Sequence, residues 1–232
     1  MTVDEVRAIV AAAHARGTLV AAHGRTDAEV RVGLAAGVDD FQHIGVAGGA
    51  LFPDDLLGAL RARAMSGRPL YWTPTVGLPL NGEALRGDPE WRDRPANTAG
   101  LPPLIADDVR QAVRMFTPQV VPRDMVVAKA RQLRDAGVQF LLGTDGGLAG
   151  AFHADSTWRE MDAWVRDLGI DPMETIQRAT SGAARALGAD RDAGSIEPGK
   201  QADVIVVTGN PLRSMRVLRE PVVIIKHGRR VK

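Results

Sequence analysis

The sequence has 232 residues, of which 45% are hydrophobic and 25% charged, as in an ordinary globular protein. Its 29 basic and 28 acidic residues are interspersed, so no surface for nucleic acid or for an anionic membrane is expected. No apolar run is long enough for a membrane helix, and the absence of cysteine excludes disulfides and thiolate metal sites. The amphipathic first segment does not have the pattern of a signal peptide, so we expect a cytoplasmic protein.

Strand and helix patterns alternate along the first two thirds of the chain. The predicted strands are short apolar runs between turn residues, and they cover residues 18–23, 38–43, 69–75 and 138–144. The predicted helices show apolar residues at helical spacing, and they cover about residues 3–16, 26–36, 53–66, 106–116 and 122–136. Thr26 and Glu29 have the spacing of a capping box, and Gly37 ends that helix. This alternation predicts an α/β fold with a parallel sheet and crossover helices.

The remaining segments differ in character from this alternation. Residues 76–105 are rich in proline, glycine and charge, which is typical of an ordered loop or lid over a site. Further helices are predicted at about 156–168, 171–179 and 180–188. The last forty residues hold two β-branched runs separated by turns, and these predict a pair of strands.

Three of the four predicted strands end on a possible metal ligand. His23, His43 and Asp145 stand at these ends, and the remaining strand ends on Thr73 and Thr75. Ligands of parallel α/β proteins bind at the carboxyl ends of strands, and imidazole and carboxylate are donors that zinc accepts. The three side chains are therefore expected to converge on one metal. A lone histidine at a strand end is ordinarily a hydrogen-bonded structural residue, and that alternative stays open from pattern alone.

Four stretches together resemble one known family. "VAAHGRTDAEVRVGLAAGVDDFQHIG", "FLLGTDGG", "TIQRATSGAARALG" and "GSIEPGKQADVIVV" are similar to the second half of the amidohydrolase superfamily, in particular its imidazolonepropionase-like and prolidase-like members. The resemblance implies a partial TIM (β/α)8 barrel, strands five to eight, in residues 1–193. It also implies that residues 194–232 are the β-strand tail of a small composite β-sandwich.

The resemblance also implies the roles of the strand-end residues. His23 and His43 match the metal-binding histidines after barrel strands five and six. Asp145 matches the strand-eight aspartate, which binds metal and shuttles protons for the attacking water as the catalytic residue. The expected cofactor is a divalent metal, in the first place Zn²⁺, which lowers the pKa of bound water and polarises the scissile carbonyl. The glycines after Asp145 are expected to let backbone and substrate approach closely.

Two features of the family pattern are absent from this sequence. There is no His-x-His pair, and none of the four lysines (Lys129, Lys200, Lys226 and Lys232) falls on a strand where a carboxylated lysine would bridge two metals. The chain is therefore expected to be a half barrel, truncated at its N-terminus. Open parallel edges and apolar surface favour association. We expect a homo-oligomer, or a partner chain that supplies the missing half.

Three residues are candidate substrate contacts, each with an ordinary alternative. Arg25 could bind a substrate carboxylate or be a solvated or capping residue. Tyr71 could stack on substrate or pack inside the barrel, as could its neighbour Trp72. His153 could contact substrate or be a loop histidine. His14 and His227 are predicted to be structural.

Three functions remain open at this point. The first is a metal-dependent hydrolase that cleaves C–N bonds of a small-molecule amide, dipeptide or cyclic amide with metal-activated water. The second is a catalytically inactive fragment or pseudo-enzyme subunit that folds and associates. The third is a phosphate-binding barrel that uses Gly146 and Gly147 as an anion cradle.

Overall fold

We describe the protein from a computed structural model. The residues described are 1–44, 50–77, 79–80, 90, 93–95, 98–117, 121–147 and 152–232. Much of the predicted loop at 76–105 falls outside these residues. The prediction that this loop covers a site therefore also concerns residues outside the described part.

Each of the eight predicted helices corresponds to an α-helix among the described residues, and the last two lie in one continuous segment. They are α1 (Val3–His14), α2 (Asp27–Ala36), α3 (Asp54–Ala64), α4 (Pro103–Met115), α5 (Arg123–Asp135), α6 (His153–Arg166), α7 (Pro172–Gln177) and α8 (Ala183–Ala186). The predicted break between residues 179 and 180 is wrong, because a π-helical segment at Arg178–Gly182 joins α7 to α8. Helix α4 begins earlier than predicted, because Pro103 occupies its first turn, where a missing N–H costs nothing.

Local sequence signals account for the ends of α2. The Thr26 hydroxyl accepts the backbone N–H of Glu29, and the Glu29 carboxylate accepts the N–H of Thr26, which completes the predicted capping box. At the other end Gly37 has a φ of 89°, the left-handed conformation that a glycine adopts without a steric penalty. The prediction for this helix is confirmed at both ends.

The sheets separate the chain into a parallel part and an antiparallel part. Strands β1 (Ala21–His23), β2 (Asp40–Gln42), β3 (Tyr71–Thr73) and β4 (Gln139–Phe140) are all parallel and lie side by side in sequence order. Strands β5 (Val204–Val206), β6 (Val223–Lys226) and β7 (Arg229–Arg230) form a second, antiparallel sheet. The parallel sheet with crossover helices is therefore as predicted. The tail holds three strands where the sequence predicted two, because the chain turns back at Gly228 and its short last strand pairs with β6.

The two faces of the parallel sheet differ in polarity. Phe41 and Trp72 are fully buried in the core formed with the helices, and their ring centroids lie 5.1 Å apart. Side chains alternate along a strand, so Asp40 and Thr73 lie on the opposite face. There the Thr73 hydroxyl donates to Asp40 at 3.0 Å. Trp72 is thus a packing residue, as one of its two interpretations predicted.

Several strand residues stay exposed at the margins of the fold. Ala21 and His23 of β1 are exposed, although strands of parallel sheets are ordinarily covered on both faces. In the antiparallel sheet Ile205 and Val206 are 49% and 44% exposed. No helix among the described residues is long and apolar enough to cross a membrane.

Candidate functional site

Two histidines from neighbouring strands lie in contact at the carboxyl end of the parallel sheet. His23 is the last residue of β1, and His43 directly follows the last residue of β2. The strands are in parallel register, with His23 opposite Gln42. The two imidazole rings therefore stack, with centroids 4.8 Å apart and planes inclined by 15°.

The position of His43 is defined by three hydrogen bonds. Its backbone N–H donates to the carbonyl of Thr73 at 2.8 Å, and its own carbonyl accepts the indole N–H of Trp72 at 2.5 Å. Its ring Nδ1 lies 2.8 Å from the hydroxyl oxygen of the buried Thr75. When the ring N–H stands on Nδ1 and donates to this hydroxyl, Nε2 carries the lone pair, which is the arrangement that a second partner gives to a metal-binding histidine.

Burial and three neighbouring side chains influence the pKa of His43. Burial lowers this pKa below its usual value of 6.5, and His23 and Arg25 lower it further by charge repulsion, whereas the carboxylate of Asp145 raises it. Asp145, His23 and Arg25 thus lie within electrostatic reach of His43. The net lowering favours the neutral imidazole, the form that binds metal ions.

The backbone is left-handed where three of these strands lead into the site. Among the described residues, the non-glycine residues with positive φ are His43 (69°), Thr75 (48°), Asp145 (51°) and His227 (48°). Such conformations cost about 1–3 kcal/mol each and concentrate at functional sites. The first three share one end of the parallel sheet, whereas His227 lies in the tail.

His153 packs beside the loop that carries Asp145. A Cβ added to Gly146 would lie 3.1 Å from Nδ1 of His153, and one added to Gly147 would lie 3.5 Å from its Nε2. The His153 ring therefore approaches both glycines, and the Thr144 hydroxyl lies equally close to the Cβ position of Gly146, at 3.1 Å. Asp145 and His153 are both exposed at this end of the sheet.

The other two predicted substrate contacts lie in different places. Arg25 lies two residues after His23. The backbone N–H of Arg25 donates to the Glu29 carboxylate, and the charge of Arg25 acts on His43. Tyr71 is the first residue of β3, at the end of the strand opposite to the histidine pair. Burial raises the pKa of its phenol, and the charges acting on it are those of Arg178, Arg185 and Asp39. The structure does not bring Tyr71 together with the other predicted site residues.

The described residues contain no group of three His, Asp or Glu side chains already arranged to hold a metal ion. The physical reason lies in the histidine pair, because imidazole lone pairs lie in the ring plane and stacked rings direct them side by side. The predicted convergence on one point therefore requires the rings to rotate. In chemical type the donor set fits a divalent ion, since it offers two imidazoles with a carboxylate nearby.

Sequence reasoning missed Glu160, a buried acid on α6. Its carboxylate accepts the backbone N–H groups of Val76, at 3.0 Å, and Gly77, and also the indole N–H of Trp164 at 2.8 Å. Burial raises its pKa to about 7. Its only signal in the sequence is its position four residues before Trp164, on the apolar side of the helix.

Several known proteins are similar to this chain in sequence and in fold. A model of the amidohydrolase family matches residues 1–232. A candidate prolidase from Bifidobacterium longum superposes with a TM-score of 0.68 at 32% identity, covering 100% of this chain and 51% of that one. The adenine deaminase of Paracoccus denitrificans is 37% identical over 93 residues, which are 39% of this chain and 15% of that protein.

A third relative matches a similarly limited part. The imidazolonepropionase of Geobacillus kaustophilus is 39% identical over 79 residues, 34% of this chain and 18% of that protein. The chain thus spans about half the length of the solved relative and less than a fifth of the two curated ones.

Proposed function

The chain belongs to the amidohydrolase family, and from that membership we propose that it forms the catalytic end of a metal-dependent hydrolase acting on C–N bonds. The observation that carries the proposal is the His23–His43 pair at the carboxyl end of the parallel sheet, with Asp145 close enough to act on His43. Substrates of this class are small molecules with an amide, dipeptide or cyclic amide bond, in keeping with relatives named prolidase and imidazolonepropionase.

The residues proposed to hold a divalent ion are His23, His43 and Asp145. Such an ion, in the first place Zn²⁺, supplies Lewis-acid chemistry that activates water and polarises a carbonyl. The Thr75 hydroxyl orients His43 through Nδ1, and burial keeps the pKa of this imidazole low, so that Nε2 is free to bind. A Zn²⁺ site with three protein ligands and one open position is the usual catalytic arrangement.

Asp145 is proposed to move the proton of the reaction. Its exposed carboxylate accepts a proton from the attacking water as the water oxygen bonds to the substrate carbonyl carbon. It then donates that proton to the nitrogen as the C–N bond breaks, so that the leaving amine departs neutral. Arg25, whose charge acts on His43, and His153, which packs on the glycines after Asp145, are proposed to bind polar groups of the substrate.

Zinc content per chain tests this proposal directly. We expect about one bound Zn²⁺ in the wild-type protein and its loss in His43→Asn, because an amide is a poor zinc ligand. The matched control is His227→Asn, which changes another left-handed histidine, in the tail, and is expected to keep the metal. Asparagine tolerates positive φ, so neither variant is expected to strain the backbone.

Elemental analysis after dialysis gives the result. A folded wild-type protein without zinc, or equal zinc in both variants, would contradict the metal site. The inactive-fragment interpretation would then be favoured.

The fold proposed around this site is half of a TIM barrel. Residues 1–193 would supply strands five to eight, and residues 194–232 would supply part of a composite β-sandwich. The exposed β1 and the exposed apolar residues of the antiparallel sheet support a further polypeptide, either a second copy or a partner chain, covering these margins.

Light scattering of the purified chain is expected to show a mass of at least twice the monomer. Replacing exposed Ile205 and Val206 by threonine keeps the β-branched shape and lowers apolar area, so the self-association constant is expected to fall about tenfold. The control pair is Met65→Gln with Met115→Gln, which removes exposed apolar groups elsewhere. A monodisperse monomer at high concentration would count against self-association, and an equal effect of the control pair would count against this surface.

A further inference from the structure

We propose that Glu160 is a positioning residue of the site, because its carboxylate fixes the turn after β3 that holds Thr75 against His43. The contacts stand independently of any activity, and their meaning for catalysis rests on the proposed function. Glu160 touches none of the candidate ligands itself. Its influence passes through the turn at residues 74–77, which we call the β3 turn.

The first argument comes from the hydrogen bonds of Glu160. Its side chain is 1% exposed, and both carboxylate oxygens point to the β3 turn, one accepting the N–H of Val76 and the other that of Gly77. The indole N–H of Trp164 also donates to it. This buried acid accepts two N–H groups of a turn 83 and 84 residues away in sequence and one from its own helix, and so it links α6 to the β3 turn.

The second argument comes from packing, which leaves no space between the turn and helix α6. A Cβ on Gly77 would lie 2.8 Å from a carboxylate oxygen of Glu160 and 3.0 Å from both its Cα and its backbone nitrogen. The first distance is shorter than real Cβ contacts and the other two are tighter than most, so a larger residue here would displace the turn or the helix. Val76 beside it is fully buried. The β3 turn therefore moves only if the helix moves.

The third argument follows the chain back to His43. Thr75 directly precedes the two residues bound by Glu160, is left-handed and is 8% exposed. Its hydroxyl is the partner of Nδ1 in His43. Because a left-handed threonine is strained, its conformation needs support from its surroundings. Glu160 supplies that support one residue away.

Helix α6 also connects this turn to the Asp145 loop. His153, its first residue, packs on Gly146, and Glu160 follows seven residues later on the same side of the helix, about 10 Å along its axis. One rigid element thus contacts both the loop of the catalytic aspartate and the turn that orients His43. We infer that α6 fixes the spacing between these two parts of the site.

The experiment follows the imidazole signals of the five histidines by NMR in the wild type and in Glu160→Gln. Glutamine keeps the volume but replaces one acceptor oxygen with an NH₂ donor that faces an N–H of the turn. We expect the His43 ring signals to shift, because the turn that holds the Thr75 hydroxyl against this ring is displaced. The signals of His14 and His227, far from the turn, are expected to stay in place.

Two further variants decide how the effect travels. Thr75→Val removes the hydroxyl and is expected to produce the same His43 shift, and the double variant is expected to add little, since both changes break one chain of contacts. Asp167→Asn is the matched control, because it neutralises another buried acid, at the end of α6, whose partners are Arg123 and Arg166. It is expected to leave the His43 signal unchanged.

Two outcomes would contradict the inference that Glu160 positions His43. A folded Glu160→Gln variant with an unchanged His43 signal would overturn the inference. An equal shift in Asp167→Asn would also contradict it, because the shift would then report a non-specific loss of packing. If Glu160→Gln does not fold, Gly77→Ala displaces the turn and leaves the carboxylate in place, and the same His43 shift is expected. These measurements need neither metal nor substrate, so a protein without zinc would refute the proposed function and leave this inference standing.

The pH dependence of stability gives a separate readout. Burial raises the pKa of Glu160 to about 7, above its usual value of 4.5, so the folded state binds more protons than the unfolded state between these values. Its ionisation therefore lowers stability as pH rises from about 4.5 to 7. Denaturation of the wild type and of Glu160→Gln is compared across this range, and the variant is expected to show a smaller fall, with the part due to Asp40, whose pKa burial raises to about 6, left in place. Asp167→Asn is expected to keep the full fall.

Discussion

Asp145→Asn is expected to lower amide hydrolysis by about 10²–10⁴-fold, the usual contribution of a positioned acid–base group. A carboxamide cannot accept the proton of the attacking water, and it is a weaker metal ligand than a carboxylate. The variant is nearly isosteric, and asparagine adopts the left-handed backbone that Asp145 has at a φ of 51°. The loss therefore reports chemistry and not folding.

The measurement is hydrolysis of a panel of Xaa-Pro dipeptides and N-acyl amino acids by zinc-supplemented protein, followed by chromatography. Asp54→Asn, which neutralises an exposed acid in the first turn of α3, is the control and is expected to keep full activity. Turnover retained in Asp145→Asn would refute the proton-transfer role.

The same variant has a second readout that needs no substrate. The negative charge of Asp145 raises the pKa of His43, so its removal is expected to lower that pKa further. An NMR titration of the His43 ring measures this shift. A His43 midpoint unaffected by the variant would mean that the two side chains do not share a site in solution.

Gly143→Ala is expected to destabilise the fold by about 1–3 kcal/mol, the usual cost of an overpacked site. A Cβ at this position would lie 2.3 Å from Cγ2 of Thr73, far inside contact distance. Thr73 is 7% exposed and is bound to Asp40, so it has little freedom to move away. The added methyl group therefore has to separate β3 from the chain that follows β4, at the end of the sheet where His43 and Asp145 lie.

Urea unfolding of this variant and of Gly58→Ala makes the comparison specific. Gly58 lies inside α3, where an added Cβ meets nothing within 4 Å. Alanine there is expected to stabilise the protein by up to about 1 kcal/mol, because it favours the helix. Equal stability of the two variants would mean that the close approach of Gly143 to Thr73 is absent in solution.

Features that depend on neighbouring residues in the chain were predictable from sequence. The capping box of Thr26 and Glu29 and the left-handed Gly37 define α2 because each interaction spans only a few residues. The joining of α7 to α8 was not predicted, because a π-helical segment differs from an α-helix by a single hydrogen-bond step and leaves no clear pattern. The strands were predicted in the right places but too long: residues 18–23 contain only three strand residues, because pairing with β2 decides where β1 begins.

The sequence by itself also determined which donors stand at one end of the sheet. In a parallel sheet all carboxyl ends share an edge, so the positions of His23 and His43 at strand ends were enough to predict that they lie together. Only the tertiary structure decided how they are held. Thr75 reaches His43 across 32 residues, and Glu160 reaches the β3 turn across 84, and neither contact has a local signal. Ring orientation and the support of a strained turn depend on packing between distant segments, and such packing is a property of the folded chain.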